Sequence, residues 1–235
     1  VTTLLATALE RTRELGVLRA VGATRGHLRR TVLIEAALLG ALALNNWLGR
    51  FASRAGESAH ASPDLLLSLL PVVDLRWVFV WGFAAFVAWA FVMGLWRENR
   101  RLARIAWLYA LLIILRSLFI ILTPMRLPEG ALVVSGDPLF EAVGRHLTFH
   151  NDLFFSSHTA LPFLGYLIYR DWWVRQVFLG LSLLLAATVL LTRVHYSIDV
   201  FGAYFITYAL YRFEQRHLRA AYRRLRLKVF GRLGA

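Results

Sequence analysis

Leu102–Leu122 reads LARIAWLYALLIILRSLFIIL, an apolar run whose only charges are Arg104 near its start and Arg116 near its end. A membrane-spanning helix needs about 20 mostly apolar residues, so this stretch alone places the chain in a bilayer. Four further runs have the same character: Asp74–Trp96, Leu153–Tyr169, Val174–Leu191 and Ser197–Tyr211. A sixth, Val32–Leu48, is apolar but carries Glu35 near its start and Asn45–Asn46 near its end. Leu153–Tyr169 and Ser197–Tyr211 are short, so their ends are expected to reach into the flanking polar residues. The fold class is therefore all-α, a polytopic membrane helical bundle with six transmembrane helices, or five if Val32–Leu48 does not cross.

Composition agrees. Of 235 residues, 58% are hydrophobic and 17% charged, against roughly half and a quarter in soluble domains. That excludes a disordered chain and argues against an ordinary cytosolic enzyme. The absence of cysteine excludes disulfides, thiolate metal sites and a cysteine nucleophile. The formal charge of +13 comes from 27 basic and 14 acidic residues. In a soluble protein this would point to nucleic acid. Here it reads as cytoplasmic segments in contact with anionic lipid, and no nucleic-acid partner is expected.

Orientation follows from where the arginines lie. Arg11, Arg13, Arg19, Arg25, Arg29 and Arg30 precede the first run, Arg97, Arg100, Arg101 and Arg104 fill the second connection, and seven Arg with Lys228 follow the last run. The first connection has only Arg50 and Arg54, the third only Arg126 and Arg145 against four acids, and the fifth only Arg193. The short fourth connection carries Arg170 and Arg175. With six spans every arginine-rich segment falls on one side, so both termini are expected in the cytoplasm. No compact signal-peptide pattern opens the chain, and a start at Val reads as a fragment or processed form. The two long connections, Gly49–Pro71 and Thr123–Asp152, fall on the outer side.

Ionisable groups inside spans are costly and mark candidate sites. Arg116, His158, His195 and Asp199 stand out. Counting from the outer ends of their runs, Arg116 lies roughly 9 Å deep and His158 roughly 7 Å, while His195 and Asp199 bracket the outer start of the last run. Three helices thus bring a cation, two imidazoles and a carboxylate to similar depth. His195 and Asp199 are also i, i+4 neighbours. A carboxylate so placed can take the Nδ1 proton, fix the tautomer and leave Nε2 nucleophilic.

Asn151, Ser156, Ser157 and Thr159 surround His158 with short donors at a helix entrance, which favours an anion. Arg116 and Arg193 add the positive charge that a phosphate needs. Zinc could in principle be held by His158, His195 and Asp199, but a neighbouring arginine repels a cation, so an anion site is preferred and no metal or cofactor is expected. A lone His with Asp at i+4 is more often interfacial than catalytic; the convergence is what carries the reading. His27, His60, His146, His150 and His217 fall in loops or tails and read as surface residues.

Asn151-Asp-Leu-Phe-Phe-Ser-Ser-His-Thr159, followed by His195-Tyr-Ser-Ile-Asp-Val200 and Ala203-Tyr204, resembles the sphingomyelin-synthase-like branch of the type 2 phosphatidic acid phosphatases, the PAP2 superfamily. Arg116-Ser-Leu-Phe with Thr123-Pro124 resembles the arginine motif of that branch's third span, and the resemblance runs over about 32–213. Ser157 stands where the family usually has Gly, and Ser197 where Thr is typical. The lysine-containing first motif of the wider family is not visible. The resemblance implies a metal-independent enzyme in which His195 attacks phosphorus, Asp199 supports it and His158 handles the leaving-group proton. Arg116, Arg193, Asn151, Asp152, Ser156 and Ser157 would hold the phosphate. Implied partners are membrane lipids: a phospholipid headgroup donor, with ceramide, diacylglycerol or water as acceptor.

Residues 9–24, LERTRELGVLRAVGAT, continuing to Glu35 and Gly40, resemble the coupling segment of FtsX-like ABC permeases. An amphipathic, arginine-rich cytoplasmic helix leading into the first span is the plainer reading. The expected division is therefore 1–31 as an arginine-rich cytoplasmic segment, 32–213 as the catalytic transmembrane domain and 214–235 as a basic tail. The expected setting is a bacterial inner membrane with the active site facing outward. A non-enzymatic permease fragment or scaffold is the competing class; it accounts for the first forty residues and leaves the outer polar cluster unexplained.

Overall fold

The computed structural model describes residues 25–98, 101–144 and 153–218, and every regular element in them is helical. α1 is Arg25–Glu57 and α2 the short Leu65–Leu69. A π-helical turn, Val78–Gly82, leads into α3, Phe83–Arg97. α4 is Leu102–Leu122, followed by a second π-helical turn, Phe140–Gly144. α5 (Ser157–Ile168), α6 (Trp172–Leu191) and α7 (Ser197–Phe213) complete the bundle, and a last π-helical turn, Glu214–Leu218, extends α7.

Among the described residues three helical stretches are long and apolar enough to cross a membrane: Val78–Arg97, Arg104–Leu122 and Trp172–Leu191. α5 has 12 residues and α7 has 17, both under the ~20 of a full crossing. α1 has 33 residues and overruns Val32–Leu48 at both ends. The other boundaries differ from expectation for local reasons. Asp74 stays outside the helical stretch that leads into α3, and its carboxylate binds the backbone N–H and guanidinium of Arg76. Leu153–Ser156 stays non-helical ahead of α5, since its backbone groups bond to α4 and α7 instead.

Tryptophans mark the two ends of the bundle, as amphipathic rings do at membrane interfaces. Trp77 and Trp96 are both exposed, and helical rise separates them by about 28 Å, close to the ~30 Å of a hydrocarbon core. At the Trp96 end Arg97 lies over the rings of both Trp96 and Trp173. Phe91, Leu183 and Phe205 are exposed between the ends. Lipid is as apolar as these side chains, so burial inside the bundle gains little for them.

The core is built where α5 meets α6 and α4. Phe155, Leu164 and Phe178 are fully enclosed there with Leu108 and Leu112. A Cβ on Gly165 would lie 2.5 Å from the Phe178 ring, so α5 and α6 approach this closely only because residue 165 has no side chain. α1 lies along α4, with Leu48 and Ala52 packed on Ile120.

Connections gather at two opposite ends. At one, Val73 N–H bonds to Leu191 O, Leu132 N–H to Thr192 O, and the Tyr196 hydroxyl to Arg126 O. At the other, Arg104 and Glu214 form a two-pronged ion pair at 2.7 and 3.0 Å. There Glu98 also accepts from Arg101 and from the Arg170 backbone, and the Tyr169 hydroxyl donates to Ala90 O. The first, third and fifth connections therefore share one end, and the second and fourth the other.

Candidate active site

Three helix ends meet at the non-helical pair Phe155–Ser156. Arg116, on α4 and only 7% exposed, donates Nε–H to Phe155 O at 2.9 Å. Ser156 N–H donates to Asp199 O in the first turn of α7 at 3.2 Å. Two residues on, His158 opens α5. The segment ahead of α5 is thus the hub that carries α4 and α7 to the same place.

Asp199 is fully buried at the third position of α7. Its Oδ2 accepts the Tyr196 backbone N–H at 2.9 Å and stands 3.3 Å from His195 Nδ1. A carboxylate at this position satisfies an otherwise orphaned donor of the helix start. The same oxygen that caps α7 therefore faces the imidazole. Oδ1 is buried without a hydrogen-bond partner among the described residues. The 3.3 Å separation is long, as such contacts often are before a substrate draws them together.

His158 lies against two aromatic rings of the helical stretch Val78–Arg97. Its ring stacks on Phe79 with centroids 3.9 Å apart and on Phe83 at 4.5 Å. His158 and His195 are 5% and 6% exposed. Ser156 is fully buried, and its hydroxyl has no partner among the described residues. Ser157 stands beside His158 on the wall of a cavity. Asn151 and Asp152 lie outside the described residues, as do His146 and His150.

Arg193 is placed differently from Arg116. It occupies the left-handed region at φ 55°, where a helix-terminating Gly is usual. The Arg193 N–H bonds to Leu190 O and the Val194 N–H to Val189 O, the paired bonds of a Schellman turn. Two of its side-chain donors go to the carbonyls of Glu129 and Leu67, at 3.3 and 3.1 Å. Its Nε is buried with no partner among the described residues. The side chain thus ties the segments at Leu67 and Glu129 to the end of α6.

Two positioning groups were missed from the sequence. Asp64 accepts the Ser197 N–H at 2.7 Å and the Ser197 hydroxyl at 3.1 Å, and it also caps α2 through Leu67 N–H. Burial opposes its charge, but these donors outweigh burial and hold the carboxyl below the ordinary aspartate value of 3.8. Asn45 receives bonds from the Arg116 guanidinium at 3.4 Å and the Ser117 hydroxyl at 3.2 Å. Asp64 had a readable signal, a Pro-Asp step before Leu65-Leu-Leu, the pattern of a helix start. Asn45 was visible only as a polar residue in an apolar run.

A cavity of about 740 Å³ runs between α1, α3, α4 and α5. Arg116, Ser157 and His158 stand on its wall, and most of the remaining lining is apolar. Among the described residues no three His, Asp or Glu side chains converge as metal ligands would. Arg116, Ser157 and His158 suit an anion at the polar end of this apolar space, and the His195–Asp199 pair is not part of its lining.

Neither the curated proteins nor the solved structures contain a match to this chain. Two family models do match parts of it. Residues 1–44 match the FtsX-like permease C-terminal model. Residues 151–216, the segment that carries both buried histidines and Asp199, match the PAP2 superfamily C-terminal model.

Proposed function

We propose that the chain is an integral membrane enzyme that moves a phosphate-containing headgroup from a lipid to an acceptor alcohol or to water. The observation that carries this reading is the meeting of Arg116, His158 and the His195–Asp199 pair around Phe155–Ser156. The PAP2 match and the apolar helices support the membrane and phosphatase character. The sphingomyelin-synthase-like branch rests on the motif resemblance alone. In this reading residues 32–213 form the catalytic domain in six spans, with 1–31 and 214–235 as basic cytoplasmic flanks. The alternation of connections between the two ends of the bundle supports that topology, with the site at the outer face of an inner membrane.

His195 Nε2 attacks phosphorus while its Nδ1 proton rests on Asp199. The bond from phosphorus to the lipid oxygen breaks, and protonated His158 delivers its proton to that oxygen. This gives a phosphohistidine and a free lipid alcohol. An acceptor hydroxyl, from ceramide, diacylglycerol or water, then gives its proton to His158 and attacks phosphorus. The phosphorus–nitrogen bond breaks and His195 is restored. Arg116 and the N–H groups at the start of α5 stabilise the charge on the equatorial oxygens. Their pre-set positions cost no reorganisation during the step.

The deciding experiment is trapping with a labelled phosphate-ester lipid under conditions that preserve an acid-labile, base-stable phosphohistidine. Label on His195, absent in His195→Ala, is the expected result. Label on His158, or none in any active preparation, overturns the assignment. A second reading draws on the match at 1–44: a membrane component derived from an ABC permease. A purified chain that releases or transfers no phosphate from any lipid phosphate ester would favour it.

A further inference from the structure

The cavity beside His158 has a shape that the chemistry of phosphate transfer does not require. Along the first π-helical turn and α3 its wall runs from Phe79, which stacks on His158, down to Phe91. Helical rise makes that run about 18 Å, and one leaflet of a bilayer core is about 15 Å deep. Arg116, Ser157 and His158, with Asn45 bonded to Arg116, line the Phe79 end, and Ala90 and the Tyr109 ring line the far end. Leu42 on α1 and Val87 and Phe91 on α3 line the cavity and are also exposed on the outer surface of the bundle, by 41%, 49% and 66%. The slot is therefore open sideways between α1 and α3, where the chain faces hydrocarbon.

We infer that this slot is an acyl-chain site one leaflet deep, entered sideways from the bilayer, and that Ala88 at its opening and Tyr109 at its floor set the chain length the enzyme accepts. The inference rests on the proposed phosphate-ester reading for the headgroup only. A lipid of the outer leaflet would slide in with its chain already at the right depth, and its phosphate would come to rest at Arg116 and His158. Burying a chain in a preformed apolar slot is favourable by a nearly constant amount per methylene. Selectivity should therefore rise with chain length until the chain meets the floor and then stop rising.

The test has two arms, chosen so that failure of the slot and failure of the enzymatic reading give different results. The first is photolabelling of the full chain in phosphatidylcholine vesicles with phosphatidic acid carrying a diazirine at the end of a sixteen-carbon chain. Adducts concentrated on Ala90, Phe91 and Tyr109 are expected, and a probe with the diazirine near the headgroup should move them to Phe79 and Phe83. That outcome supports the slot even in a preparation with no turnover, which would count against the enzymatic reading alone. Adducts spread over the outer faces of α6 and α7 overturn the slot.

The second arm is kcat/KM for phosphatidic acids of eight- and sixteen-carbon chains in wild type and Ala88→Trp. Excluding two methylenes from apolar contact should lower the long-to-short ratio about tenfold. An unchanged ratio in a variant that keeps the wild-type melting temperature overturns the role of Ala88. If Ala88→Trp does not fold, Val87→Phe at the same opening is read in its place.

Discussion

Asp64 and Ser197 are 133 residues apart in sequence, yet the carboxylate takes both the backbone N–H and the hydroxyl of the serine. The segment between α1 and α2 thus holds the start of the helix that carries Asp199. Asp64 is charged more easily in the folded chain than in the unfolded one, since its donors favour the anion. A folded value below 3.8 means that its contribution is complete above that pH and is lost as pH falls through the lower folded value. Asp64→Asn should therefore lower the melting temperature at pH 6, by an amount equivalent to ~1 kcal/mol for a lost cap. The gap to wild type should close in acid below pH 3.8. Thermal unfolding in detergent across that range checks it. A gap that persists unchanged in acid would mean that the charge does not matter.

Roles at the two histidines separate by leaving group. Asp199→Asn keeps the shape but invites the wrong imidazole tautomer, so turnover should fall by several orders of magnitude, about as in serine hydrolases. His158→Ala should retain much of its phosphoenzyme formation with a p-nitrophenyl ester, whose leaving group needs little protonation, and lose nearly all with an alkyl lipid ester. Burst kinetics with both substrates reads the difference. Equal losses toward both would remove His158 from the acid–base role.

Arg116 should tolerate lysine poorly. Its Nε is committed to Phe155 O and Nη1 reaches Asn45 Oδ1, an arrangement of the planar fork that an ammonium point charge cannot reproduce. Arg116→Lys should cost about a hundredfold in kcat. Asn45→Ala frees one guanidinium contact and should raise KM more than it lowers kcat, with Asn45→Gln recovering part of the loss. A loss from Asn45→Ala confined to melting temperature would make that residue purely structural.

The arginine-rich flank is expected to orient the chain and take no part in chemistry. Removing the residues before Arg29 should leave turnover per folded molecule within about twofold while lowering correctly inserted yield, since the positive charges that hold the first span are reduced. Accessibility labelling at Ala235 and within Arg97–Arg104 should report the cytoplasm, and at Ala131–Gly136 the opposite side. Loss of turnover in well-folded trimmed protein would give the permease-like segment a part in the reaction.

Much of the site was legible because its chemistry sits at fixed local spacing. His195 and Asp199 are i, i+4, and charges inside apolar runs are conspicuous, which is why Arg116 and His158 could be singled out. What stayed hidden depends on tertiary meeting. Nothing in the spacing of Phe79 and Phe83 says that an imidazole will stack on them, and apolar residues in a membrane helix carry no inward or outward signal, because lipid and core are alike in polarity. The charge of Arg193 suggests a phosphate ligand, and charge does not reveal that backbone carbonyls of Glu129 and Leu67 would take its donors. The spans are visible as apolar runs, but their ends are not. A run such as Leu153–Tyr169 gives no hint that its first four residues will leave the helix to join α4 with α7.

One atom, Asp199 Oδ2, caps α7 and faces His195 at once. Stability and reactivity are therefore a single heritable trait at this position. In the proposed reading, a side chain that kept the cap without a carboxylate would leave the imidazole unsupported. The coupling also gives the molecule a built-in fail-safe. If the first turn of α7 frays, the same event that loosens the helix releases the imidazole from its partner, so under the proposed mechanism a half-melted copy would carry no supported nucleophile.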